Sequence, residues 1–182
     1  MKPAAPPVPD TKYAPVPMAL HWVTVALVIA LYAIGWYMVE LPKGPARGEA
    51  FALHKSLGMT VFLVTGLRLA WRLRRPPPPL PSLLAGWQRR LATGVHHLFY
   101  VLLFAQPLFG YLSSAFSPYP SNYFGVPLPD WSEHRPQLNE LFTELHVAGS
   151  VALLVVIALH VLGALGHLLK PGDRLLRRML PW

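Results

Sequence analysis

The chain of 182 residues has no cysteine. That excludes disulfides, zinc–cysteine sites, iron–sulfur clusters and thioether-linked haem. Charge is also scarce. Charged residues make up 13% of the chain, where soluble domains average about 25%. Acid is scarcer still, with 8 Asp and Glu against 16 Lys and Arg. What fills the chain is apolar: 53% hydrophobic residues, punctuated by 21 prolines. This composition favours a membrane class over a soluble one.

Four segments are long and apolar enough to cross a bilayer, which takes about 20 residues. They are 18–39, 51–71, 91–116 and 141–169. Residues 1–17 are Pro-rich and read as a cytoplasmic tail, leaving 18–182 as the membrane domain. No cleavable signal is evident, so the first apolar run reads as a retained helix. Pro76 to Pro81 cannot be helical and marks the link between the second and third spans. Ser117 to Pro136 holds five prolines and reads as a loop with room for one short helix. The expected fold is all-α: an integral membrane four-helix bundle.

The net charge of +8 would suit nucleic acid. Its distribution points to topology instead. Arg72, Arg74, Arg75, Arg89 and Arg90 follow the second span, and Lys170, Arg174, Arg177 and Arg178 follow the fourth. The first loop has Lys43 and Arg47 offset by Glu40 and Glu49. The third has Asp130, Glu133, Glu140 and Glu144 against Arg135. Short cytoplasmic loops carry the Lys and Arg excess, so both termini are expected in the cytoplasm.

Seven of the eight histidines lie in or beside the spans, and His134 lies in the third loop. Ionisable residues inside a membrane usually face the bundle interior and serve function. A single such histidine is as often a hydrogen-bonded helix contact, so spacing has to decide. His146 and His160 are fourteen residues apart on one helix. Fourteen residues rise about 21 Å and return to within about 40° of the same face. A single metal site would want ligands three or four apart. Two ligands separated by the thickness of the membrane suit two stacked haems held by imidazole.

With the amino terminus inside, His54 and His146 share the outer level. His21 and His160 share the inner level, but His96 and His97 open the third helix there too. Spacing leaves the inner partner open among these. Iron with an imidazole on each side has no open position for oxygen chemistry, which points to electron transfer. Arg68 lies fourteen residues after His54 at the inner level. It is placed either to pair with a haem propionate or to snorkel to the interface beside Arg72. Gly35 lies fourteen after His21 and leaves room at the outer level, though close helix packing also uses glycine. Tyr32, Trp36, Tyr100, Tyr111 and Trp131 are candidate walls for a quinone, a role that competes with interfacial anchoring.

Several stretches together resemble the bacterial cytochrome b561 family, including its superoxide:ubiquinone oxidoreductase type. They are M-A-L-H-W at 18–22, L-H-K-S-L-G at 53–58, G-L-R-L-A-W-R at 66–72, E-L-H at 144–146, A-L-H-V-L-G-A-L-G-H at 158–167 and D-R-L-L-R-R-M-L-P at 173–181. The resemblance implies two haem b groups, with His21, His54, His146 and His160 as the iron ligands. It leaves His97 near the iron but not on it, and gives no ligand role to His167. It also implies ubiquinone in the bacterial inner membrane as electron partner, with superoxide or a redox protein as donor. Related cytochromes are membrane subunits of larger oxidoreductases such as hydrogenases. The acidic third loop is a poor attractor for the superoxide anion.

Overall fold

A computed structural model describes residues 12–79, 85–119, 121–129, 131–168 and 175–180. Residues 1–11 of the expected tail lie outside that set, as do Pro81, Asp130, Leu169, Lys170 and Arg174. Four long helices dominate: α1 (Pro15–Glu40), α2 (Pro45–Arg74), α3 (Gly86–Ala115) and α4 (Pro136–Leu168). All four are long and apolar enough to cross a membrane, and the chain is a multi-pass membrane protein. A two-stranded hairpin, β1 (Asn122–Tyr123) and β2 (Val126–Pro127), joins α3 to α4, and a short 3-10 turn, η1 (Leu176–Met179), follows α4.

Proline writes most of the boundaries. Pro15, Pro45 and Pro136 each occupy a first helical position, where the missing N–H would have had no partner anyway. The run from Pro76 stops α2 at Arg74, because each proline disfavours helix in the residue before it. Pro107 lies inside α3 and removes one rung of its hydrogen-bond ladder. The helices begin several residues before the expected second, third and fourth spans, because polar first turns do not register as hydropathy.

Consecutive helices pack side by side: α1 on α2, α2 on α3, α3 on α4. Among the described residues α4 packs closely on neither α1 nor α2. One direct bond crosses from α1 to α4, where the Tyr32 hydroxyl donates to the Ser150 carbonyl at 2.6 Å. At the centre Val61, Leu103 and Leu153 form the buried core, flanked by Leu27, Val28, Leu31, Phe99, Leu102 and Ile157.

The hairpin was not visible in the sequence. Its register, Asn122 to Pro127 and Tyr123 to Val126, leaves Phe124 and Gly125 as a two-residue turn. Both have positive φ, 47° and 86°, as a type I′ turn requires. The Phe124 N–H donates to Ser56 Oγ at 2.9 Å, and Tyr123 bonds Thr60 through their hydroxyls at 3.2 Å. Ser56 and Thr60 are one turn apart on α2, so the hairpin is latched onto the half of that helix that carries His54.

Candidate functional site

Positions seven residues apart on a helix are about 10 Å apart in height and nearly aligned. Each helix presents three such positions inward. On α1 they are His21, Val28 and Gly35; on α2, His54, Val61 and Arg68. On α3 they are His96, Leu103 and Gly110; on α4, His146, Leu153 and His160. The helices alternate in direction, so these positions sort into three layers. One end holds Gly35, His54, Gly110 and His146. The other holds His21, Arg68, His96 and His160. The apolar core separates them.

In the His54 layer the two imidazole rings meet edge-on, centroids 6.1 Å apart and planes at 83°. Each ring nests against a glycine of the neighbouring helix. A Cβ on Gly35 would sit 3.3 Å from His54 Cε1, and a Cβ on Gly110 would sit 3.1 Å from His146 Cε1. Any larger residue at either position would push on a ring. His146 Nδ1 donates to the Gln106 carbonyl at 2.9 Å. A carbonyl only accepts, so Nδ1 carries the proton and Nε2 keeps its lone pair. His54 Nδ1 is buried with no hydrogen bond of standard geometry, although the Leu31 backbone lies beside the ring.

The His21 layer is more polar. His21 lies within electrostatic reach of Arg68, His160 and His96, in a half-buried setting. The His160 ring lies 5.5 Å from that of His96 and 5.2 Å from Phe99. His96 Nδ1 donates to the Ala92 carbonyl at 2.6 Å. His97 is exposed on the outer surface of α3, so His96, not His97, is the α3 histidine brought to this layer. His21 Nδ1 is buried with no partner. Arg68 and Arg72 both lie over the Tyr100 ring, at 6.0 and 5.9 Å. His167 is half-buried in the last turn of α4, and His134 donates from Nδ1 to the Phe116 carbonyl at 2.9 Å.

A planar cofactor ligated by one imidazole on each side fits the His54 layer. An imidazole nitrogen binds a first-row metal at about 2.0–2.1 Å, so two rings that would share one metal between them need centroids about 6 Å apart. The observed pair meets that separation, with glycines where a ring needs room and one ring already in the metal-binding tautomer. Among the described residues no cluster of three or more His, Cys, Asp or Glu is placed to hold a metal ion by itself. Paired ligands on a ready-made macrocycle have no need of one.

Two site residues had gone unremarked in the sequence: Gln106 and Gly110. The available signal for Gln106 was an amide side chain within an apolar span. For Gly110 it was the fourteen-residue step from His96. Three of the candidate quinone walls make hydrogen bonds within the protein. Tyr32 bridges to α4, and the Trp131 indole N–H donates to the Tyr111 hydroxyl at 2.7 Å.

A family model described as prokaryotic cytochrome b561 matches residues 12–182. Cytochrome b561 homolog 2 of Escherichia coli (strain K12) is 32% identical over 178 residues, covering 93% of this chain and 91% of the relative. Cytochrome b561 homolog 1 of the same organism is 26% identical over 167 residues, covering 89% and 93%.

Proposed function

The chain belongs to the prokaryotic cytochrome b561 family, a family of electron-transferring membrane cytochromes with b-type haem, and from that premise we propose that it carries electrons between two haem b groups at the two ends of its bundle. His54 and His146 hold the outer group, and His21 and His160 the inner one. Haem bound between two imidazoles supplies a one-electron couple with no open coordination position.

The protein's own part is positional. The Gln106 carbonyl fixes the His146 tautomer, which leaves Nε2 for iron. Gly35 and Gly110 give the outer rings their space. Val61, Leu103 and Leu153 keep water out of the region between the layers. Arg68 offers a cation in the inner layer to an acidic propionate edge. Both termini face the cytoplasm by the bias of Lys and Arg in the connecting loops. A membrane quinone is the electron partner. The acidic third loop favours a donor other than superoxide.

The close His54–His146 ring pair carries this reading. The test is a reduced-minus-oxidised spectrum with pyridine haem quantitation on the purified chain. Two b-type haems per chain are expected. A preparation with no b-type band ends the proposal.

A further inference from the structure

The stretch D-R-L-L-R-R-M-L-P at 173–181 carries three arginines and one aspartate. In the fold its central residues form η1, beneath the His21 end of the bundle. Arg178 is 5% exposed there. Its Nη2 donates to the carbonyls of Pro78 and Pro79 at 3.2 and 3.0 Å. Its guanidinium lies 5.8 Å from the Tyr13 ring, and its carbonyl accepts from the Tyr13 N–H at 3.1 Å. One side chain thus ties together the segment before α1, the link after α2 and the segment after α4. A planar five-donor group suits such a knot of carbonyls and an aromatic face better than lysine does.

The next residue passes this anchoring inward. The Met179 carbonyl accepts from Trp22 Nε1 at 2.9 Å. An interfacial tryptophan usually gives its N–H to water or headgroups; here the donor is committed to the chain's own tail. The Trp22 ring meets the neighbouring His21 ring edge-on, centroids 5.3 Å apart and planes at 68°. A metal-binding imidazole is normally oriented by a hydrogen bond from its second nitrogen. His146 has one, whereas His21 Nδ1 has none. The Trp22 ring is the aromatic contact of the His21 imidazole.

We propose that Arg178, Met179 and Trp22 form a positioning clasp through which the carboxy-terminal segment sets the orientation of the His21 imidazole. This rests on the reading of His21 as a ligand of the inner haem. The clasp acts through the ring's orientation and not through contact with iron. Its signature is therefore spectroscopic and confined to one haem.

The experiment compares the purified full-length chain with Trp22→Phe, Arg178→Lys, Arg178→Ala and His21→Ala. Low-temperature electron paramagnetic resonance resolves the low-spin signals of the two haems, whose anisotropy follows the angle between the ligand planes. Trp22→Phe keeps an aromatic ring but removes the N–H donor. It is expected to shift the inner signal and leave the outer one in place, with both haems bound. Arg178→Ala is expected to give the same shift, Arg178→Lys a smaller one, and a variant combining Trp22→Phe with Arg178→Ala no more than either alone. Trypsin cleavage after the exposed Arg177 is expected to quicken in Trp22→Phe, independently of haem. If Arg178→Ala does not fold, Trp22→Phe decides. An unchanged inner signal in Trp22→Phe, whatever the cleavage rate, overturns the clasp while His21→Ala still loses one haem. If His21→Ala keeps both haems, the ligand reading itself fails and the clasp falls with it.

Discussion

His146 and Gln106 hold each other across the α3–α4 interface. The His146 Nδ1–H donates to the Gln106 carbonyl at 2.9 Å, and the Gln106 side-chain amide donates to the His146 carbonyl at 3.0 Å. The pair fixes both the rotation of the imidazole and the register of the helix that carries it. Gln106 is 8% exposed, and its Oε1 is buried without a partner. That oxygen lies where a Cβ on Gly149 would be, 2.5 Å away.

Gly149→Ala is therefore predicted to displace the Gln106 amide and, through it, the His146 ring. Gly110→Ala presses on the same ring directly. Loss of such outer-shell support typically weakens metal affinity about 10- to 100-fold. Both variants should release the outer haem more readily while the inner haem stays bound, measured by haem transfer to an apo-globin acceptor. Gly58→Ala and Gly66→Ala are the controls, since a Cβ there meets nothing within 4 Å. Retaining the helix, they should stabilise by about 0.5–1 kcal/mol. Equal haem loss in all four variants would remove Gln106 and Gly110 from the site.

The histidine assignments make a sharper prediction. His54→Ala and His146→Ala should each lose one haem with the same residual spectrum. His21→Ala and His160→Ala should lose the other. His97→Ala should lose neither, because that side chain faces away from the bundle. His96→Ala is the informative member, because its ring is 5.5 Å from His160. It should keep both haems with a perturbed inner spectrum. Loss of the inner haem in His96→Ala, with His21→Ala silent, would reassign the inner ligand to α3.

How much of this could be read from the sequence differs between the layers. The helices were plain, because apolar length and proline boundaries are local signals. The fourteen-residue step was also plain, since helical geometry alone puts His146 and His160 on one face. His96 and His97 could not be told apart: neighbouring residues differ by about 100° around the axis, and the apolar surroundings gave no reference direction. The hairpin was hidden because two-residue strands have no alternation to detect. Gln106 and Arg178 were hidden for opposite reasons. Gln106 is a lone polar residue in an apolar run. Arg178 sat among basic residues whose charge already had an explanation in topology, and only the fold shows it to be buried.

Arg68 offers a test with a definite sign. It is half-buried in the His21 layer and within reach of His21 and His160. Reduction adds a negative charge to a haem, so a nearby guanidinium favours the reduced form. Arg68→Gln should lower the midpoint potential of the inner haem and leave the outer one nearly unchanged, as potentiometric titration would show. An unchanged inner potential would place the Arg68 charge at the interface with Arg72 and Tyr100, screened by water.

The latch of the hairpin on Ser56 makes the last prediction. Ser56 is 1% exposed, and its Oγ accepts from the Phe124 N–H at 2.9 Å while donating to the Ala52 carbonyl at 2.8 Å. Ser56→Ala leaves that N–H, at the turn of a two-rung hairpin, without its acceptor. Phe124 is more than half exposed, so water can replace the acceptor and the loss is nearer the net worth of one hydrogen bond, about 0.5–1.5 kcal/mol. Phe124 adds a further cost, because a non-glycine residue at φ 47° is strained wherever its contacts do not hold it there. The hairpin should therefore detach from α2 before the bundle unfolds. Thermal unfolding in detergent should show a small loss of stability. Proteolysis within 117–135 should accelerate well beyond it, and Phe124→Gly should restore part of the protection in the Ser56→Ala background. If Ser56→Ala leaves the loop as protease-resistant as before, the Tyr123–Thr60 contact alone holds the hairpin, and the Ser56 hydroxyl serves only its own helix.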